Sequence, residues 1–211
     1  MVTVKLFVEG GGDSRPLRDE CRKGFRIFLE KAGLKGNMPR IVACGSRNSA
    51  YDDYCTAVKN GEMTVLLIDS EVPVSDASII DPDNPGTWKP WPHLKNRDNW
   101  DRPEKADDKD CHLMVQSMET WLLADVDALK EYYGQDFQKN SLPVRDDIEK
   151  IAKDDVLSCL ENATRLTAKG SYNKGNHSFE ILAQIDCCAV IRKSSWAKRF
   201  VVLLTRKMQE L

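Results

Sequence analysis

Three carboxylates in this chain are spaced so that a single divalent cation could engage them together. Glu9 closes an alternating, β-branched segment, Thr3 to Val8, and opens the glycine turn Gly10-Gly11-Gly12. Asp69 and Glu71 close a continuous apolar run, Thr64 to Ile68. Two residues apart in an extended segment, their side chains are expected to leave on the same side and to face one ion. Oxygen ligands this hard suit Mg²⁺ or Mn²⁺, which keep several waters and accept phosphate oxygens as further ligands. A carboxylate after a strand can also cap the next helix, but Asp13 or Ser14 can do that here, which leaves Glu9 less readily explained as a cap. Other chemistries are poorly represented. His93, His112 and His177 are far apart and form no HxH or HxxxH pair. The cysteines Cys21, Cys44, Cys55, Cys111, Cys159, Cys187 and Cys188 include no CxxC pair, and are read as reduced, mostly buried thiols. There is no GxxxxGK[ST] phosphate loop, and the glycine turn lacks the full dinucleotide fingerprint.

The elements that must position these acids follow from periodicity. The first strand leads through the glycine turn into a helix from Pro16 to Ala32, with Leu17, Cys21, Phe25, Phe28 and Leu29 on one stripe, Ser14 as its cap and Gly33 as its stop. Arg40 to Cys44 reads as a second strand and Ser49 to Asn60 as a helix ended by Gly61; Thr64 to Ile68 reads as a strand covered on both faces. Strands alternating with helices predict an α/β fold, a mainly parallel sheet with helices on both faces. In such sheets functional groups collect at the carboxyl ends of strands, where Glu9 and Asp69 stand. Beyond Asp110, His112 to Ser117 reads as a fourth strand and Met118 to Ala124 as the start of a helix. The rest is mostly helical: Asp127 to Tyr133, Arg145 to Ala152, Asp154 to Ala163, Phe179 to Ile185 and Ser195 to Gln209.

This arrangement resembles the Toprim fold of topoisomerases, bacterial primases and the overcoming-lysogenization-defect nucleases. That pattern has a Glu in a glycine-containing turn after the first strand, here Val8-Glu9-Gly10, and a DxD pair after a later apolar strand, here Asp69-Ser70-Glu71 with Glu as the second acid. The segment Met118 to Asp125 is similar to one in small bacterial Toprim-related proteins of unassigned activity. The resemblance implies Glu119 and Asp13 as further metal ligands and Glu9, Asp69, Glu71 and Glu119 as catalytic acids. It implies Mg²⁺- or Mn²⁺-dependent hydrolysis of DNA or RNA, one ion at Glu9, Asp69 and Glu71 and a second near Asp13 and Glu119, with Lys169, Lys174 or Lys193 as candidates to meet charge on the phosphate. It also implies a role in phage defence beside a separate ATPase subunit.

The 211 residues, 41% hydrophobic and 30% charged, suit one core, divided here as a Toprim-like part, 1–125, and a helical extension, 126–211. A net charge of -2 excludes a strongly basic nucleic-acid coat, so any such contact needs a local basic face or metal ions. No apolar run approaches the roughly 20 residues that span a bilayer, and no signal-peptide pattern opens the chain, so a cytoplasmic protein without membrane contact is expected. Residues 72–110 form a polar, proline-rich excursion carrying Trp88, Trp91 and Trp100. It is read as a surface segment pinned by its tryptophans, or alternatively as a flap that stacks on unpaired bases. A haloacid-dehalogenase-like phosphoaspartyl transferase would need its acidic pair after the first strand. The remaining alternative is a non-catalytic, receiver-like or scaffold module that binds a metal and docks a protein partner.

Overall fold

The structure is a computed structural model and describes residues 3–210. Strands β1 (Lys5–Gly11), β2 (Arg40–Gly45), β3 (Thr64–Asp69) and β4 (Cys111–Met114) form a parallel sheet in the order β2-β1-β3-β4. Helix α1 (Arg15–Leu29) joins β1 to β2, and α2 (Arg47–Lys59) joins β2 to β3. Because β2 and β3 flank β1 on opposite sides, the two crossovers run in opposite directions across the sheet, and right-handed connections then put their helices on opposite faces. Alternate residues confirm it. Leu6, Val8 and Leu67 pack with Phe25 and Phe28 of α1, whereas Phe7, Leu66 and Ile68 pack with Ala50 and Tyr54 of α2. Each such buried side chain contributes on the order of 2 kcal/mol of transfer free energy. Strand β3 is paired on both edges and covered on both faces, so all six of its residues are buried, which is why its sequence is an unbroken apolar run.

The strand β1 runs further than its alternation suggests, through Glu9 to Gly11, with a register shift where Gly10 and Gly11 both oppose Gly45. Gly45 has φ +81, and a Cβ there would stand 2.6 Å from the Gly12 carbonyl oxygen, so two backbones meet at a distance only glycine permits. Ser14 caps α1 by accepting from the Leu17 N–H, as expected.

The excursion after β3 is pinned. It contains α3 (Trp91–Asp98); Trp88 lies edge-on to Trp196 at 5.0 Å and Trp100 stacks on Tyr51 at 4.3 Å. With Trp88 and Trp91 buried, those rings are already packed, which argues against the base-stacking flap. Arg199, fully buried, donates to the carbonyls of Pro85, Asp108 and Cys111, tying the excursion to β4.

The C-terminal part is helical: α4 (Met118–Leu122), α5 (Val126–Tyr133), α6 (Lys153–Thr164), α7 (Lys174–Gln184), α8 (Cys187–Lys193) and α9 (Ser195–Gln209). The helix expected over 145–152 is reduced to one 3-10 turn, Ile148–Lys150, because Asp147 bonds the Glu149 N–H locally and Ala152 is extended. Helix α8 was not expected; Asp186 caps it, and seven residues show little periodicity. Helix α7 lies so close on α1 that a Cβ at Gly24 would meet the Phe179 carbonyl oxygen at 2.7 Å. Among the described residues no helix is long and apolar enough to cross a membrane.

Candidate metal centre

Reversal of travel across a parallel sheet opens a crevice at the carboxyl ends of the strands on either side of the reversal. Here those strands are β1 and β3, and they carry Glu9 and Asp69. Glu9, Asp69 and Glu71 each offer one carboxylate oxygen within 4.8 Å of the others. Glu9 Oε2 accepts the Asp69 backbone N–H at 3.1 Å, which fixes one acid to the strand end of the other. Asp69 Oδ1 accepts the N–H of Met118, the first residue of α4, at 2.8 Å.

Glu71 reaches the cluster by a route other than the expected one. The chain does not stay extended past Asp69: Ser70 and Glu71 donate to the Met114 and Gln116 carbonyls, and Glu71 takes φ +70. A non-glycine residue held in the left-handed region costs of order 1 kcal/mol, and the neighbouring chain must hold it there. Glu119 is fully buried on α4 and accepts from Tyr172 Oη at 3.2 Å and Lys174 Nζ at 3.3 Å. Lys174 Nζ also lies 3.7 Å from Asp69 Oδ2, so an ammonium stands between Asp69 and Glu119. Asp13 is not brought in: it is exposed, at the helix approach beyond the glycine turn, and outside the acid cluster. A second ion between Asp13 and Glu119 therefore has no support in the geometry.

The cations were mostly not foreseen. Arg47 lies 3.5 Å from Glu9 Oε2, donates to the Asp69 carbonyl and pairs with Asp98 at 2.7 Å; Lys153 binds Glu71 at 2.6 Å, with Arg97 at 3.8 Å. Of the three lysines singled out in the sequence, Lys174 is at the site. Lys169 lies over the Tyr132 ring, and Lys193 ends α8. Arg47, Lys153 and Lys174 share a placement: each is the first residue of its helix, α2, α6 and α7. Met118 opens α4, and its backbone N–H is the helix-start amide bonded to the cluster, at Asp69. The side-chain charges of Arg47, Lys153 and Lys174 set the field at the centre.

This field does not fully compensate the centre. Burial and the charge of Glu9 push the Asp69 carboxyl up to about 8, against the pull of Lys174. Burial raises Glu9 as well, opposed by Arg47 and the Asp69 N–H. Burial would raise Glu71 too, but its bond to Lys153, with that charge and Arg97, holds it below the ordinary carboxylate value. Lys174 is pushed up, because Asp69 and Glu119 more than offset its own burial, so it serves as a fixed charge. A buried carboxylate with insufficient positive charge near it, beside two more carboxylates, is a donor set that fits a hard divalent cation.

The other candidate groups have structural partners. His93 Nε2 lies 2.9 Å from the Ser70 carbonyl, His112 is buried against Arg199, and His177 Nδ1 meets Tyr133 Oη. The cysteines are all free thiols. Cys187 and Cys188 stand near Asp186, but both carboxylate oxygens of Asp186 are engaged in capping α8.

The fold and the site together define an α/β protein with a carboxylate cluster at the switch point of a parallel sheet, ringed by cationic side chains. Residues 8–205 match the family described as Domain of unknown function (DUF4276), and the chain belongs to that family. No curated protein and no solved structure matches it significantly.

Proposed function

We propose that the protein is a divalent-metal-dependent nuclease of Toprim-like build that hydrolyses phosphodiester bonds of DNA or RNA with Mg²⁺ or Mn²⁺. The observation that carries the reading is the pairing of two opposite demands in one crevice. Glu9, Asp69 and Glu71 call for a cation, while Arg47, Lys153 and Lys174 beside them call for an anion once an ion takes the acids. A phosphate ester accompanied by a divalent ion meets both. Glu9, Asp69 and Glu71 would hold the ion, which when bound supplies Lewis acidity toward a phosphoryl oxygen and lowers the pKa of water.

The chain's own residues supply the remainder. Lys174, whose side chain is 51% exposed, presents a fixed positive charge to the phosphate. Glu119 and Tyr172 hold that ammonium in place. Arg47 fixes Glu9 and the end of β3. In the reaction water adds to phosphorus, one ester P–O bond breaks, and the leaving oxygen takes up a proton.

The resemblance to the overcoming-lysogenization-defect nucleases adds a cytoplasmic role in phage defence beside a separate ATPase subunit, for which affinity capture from the source cell is the direct check. The main test is cleavage of labelled DNA and RNA with Mg²⁺ or Mn²⁺ by the wild type and by Glu9→Gln, Asp69→Asn and Glu71→Gln. Loss of cleavage in all three supports the reading. Undiminished cleavage in the three variants would overturn the assignment of this site, and metal binding with no cleavage of any substrate would leave the scaffold alternative in its place.

A further inference from the structure

A cavity of about 270 Å³ opens directly beside the acid cluster and shares Glu9, Asp69 and Lys174 with it. Its other walls are of a different character. They are the glycine turn Gly10–Gly12, together with Gly45 and Gly175, and the side chains of Leu17, Met118 and Phe179. None of these walls carries a charged or hydrogen-bonding side-chain group, apart from the three residues shared with the site. The glycine turn is packed tightly: a Cβ at Gly10 would come within 3.0 Å of the Phe179 ring and one at Gly11 within 2.8 Å of Arg18 Cα, so this stretch of the wall is bare backbone.

An apolar, ring-sized recess that touches a phosphate-seeking cluster has the character of a seat for the base of the nucleotide whose phosphate lies at the acids. We infer that this cavity takes one unpaired nucleobase, stacked among Leu17, Met118 and Phe179, so that the substrate is single-stranded, frayed or terminal nucleic acid rather than intact duplex. The inference rests on the nuclease reading for the position of the phosphate. A paired base cannot enter, because its faces are stacked on its neighbours and its edge is held by its partner. An intact duplex must first surrender that base, which favours the single strand by at least about tenfold. With no side-chain donor or acceptor on the apolar walls, the seat recognises the ring by stacking and shape and takes any base with little sequence preference.

The test uses the full chain with Mn²⁺ and an oligonucleotide carrying one 2-aminopurine. It is presented as a single strand, as a duplex, and as single strands in which a tetrahydrofuran abasic residue replaces each nucleotide in turn. Fluorescence titration reads binding and gel analysis reads cleavage. Leu17→Trp, which fills the recess from a half-buried position, is compared with wild type, with Mn²⁺ affinity measured separately by calorimetry.

The expected result is at least about tenfold preference for the single strand, a comparable loss in Leu17→Trp with Mn²⁺ affinity kept, and one abasic position that abolishes tight binding. Equal binding of duplex and single strand, or no effect of any abasic position and of Leu17→Trp, overturns the inference. The two readings separate cleanly. Base-dependent binding without cleavage sinks the nuclease and keeps the seat; cleavage indifferent to the recess does the reverse; neither binding nor cleavage sinks both.

Discussion

The substitution Asp69→Asn is expected to make the metal-free protein more stable and to remove its response to metal. The amide keeps an Oδ1 acceptor for the Met118 N–H at 2.8 Å and nearly the same volume, so only the charge and one acceptor oxygen change. Asp69 is buried and raised from an ordinary 3.8 to about 8 by burial first and Glu9 second. A folded-state pKa above the unfolded one means that the folded chain binds more protons between those values. Stability from this group is therefore full below pH 4, falls as pH rises to 8, and is flat above. The thermodynamic ceiling on the loss is about 5 kcal/mol at pH 8. Local relaxation and water entry reduce it, and an effective 1–2 kcal/mol, on the order seen for removal of buried uncompensated charge, corresponds to about 3–6 °C for a chain of this size. Mn²⁺ at roughly a hundred times its Kd adds about 2.7 kcal/mol to the wild type and nothing to Asp69→Asn. Scanning calorimetry in chelator and in Mn²⁺, at pH 5 and pH 8, resolves both effects. A lower metal-free melting temperature for Asp69→Asn at pH 8, or a Mn²⁺ shift equal to that of wild type, would refute the account of the cluster as an under-compensated cation site.

Burial raises Glu149 to about 7, and its Oε1 accepts both Ser194 Oγ and the Trp196 N–H, which an amide oxygen can also do. Glu149→Gln should thus raise the melting temperature at pH 8, with a ceiling of about 3 kcal/mol, and change little near pH 4.5; thermal scans across that range check it. Arg199→Met leaves the buried carbonyls of Cys111 and Asp108 without their donor, with an expected loss of about 3 kcal/mol and faster proteolysis within 72–110, read by limited digestion. Gly45→Ala forces a Cβ toward the Gly12 carbonyl at a φ of +81, so a loss of about 1–3 kcal/mol and weaker Mn²⁺ binding, measured by calorimetry, are expected from the displaced turn.

The sheet was legible because burial leaves a mark on every residue of a strand. The unbroken apolar run of β3 and the alternation of β1 put Asp69 and Glu9 at the carboxyl edge, and both lie there. Glu71 was placed by the wrong geometry: the extended spacing that should have aligned it with Asp69 gives way to a turn at φ +70, held by the Gln116 carbonyl from beyond the excursion. Nothing local in the sequence encodes that partner. The C-terminal helices were harder for the same reason. Asp147 and Asp186 both bond nearby backbone N–H groups, yet one opens a single turn and the other a helix, and packing further along the chain decides between them.

The cations were obscured by number, because the chain has 31 lysines and arginines and tertiary structure decides which of them face an acid. A physical signal was nonetheless present. Ser46 before Arg47 and Asn173 before Lys174 are helix caps, and each puts a positive charge on the first residue of a helix, where the macrodipole disfavours it. At Arg47 and Lys174 the acids Glu9, Asp69 and Glu119 face that charge and offset the cost. Arg15 after the Ser14 cap of α1 carries the same signal on an exposed surface, so the pattern marks candidates rather than the site. Lys153 gave no such signal, since Ala152, the N-cap of α6, has no capping side chain. The arrangement has a consequence for binding. A divalent ion at the acids, as proposed, would share their charge with Arg47, Lys153 and Lys174 and so turn part of that positive charge toward an anion, while Asp98 and Glu119 keep Arg47 and Lys174 in place. Ion and phosphate would then bind more tightly together than either binds alone, by the reciprocity that any such linkage obeys.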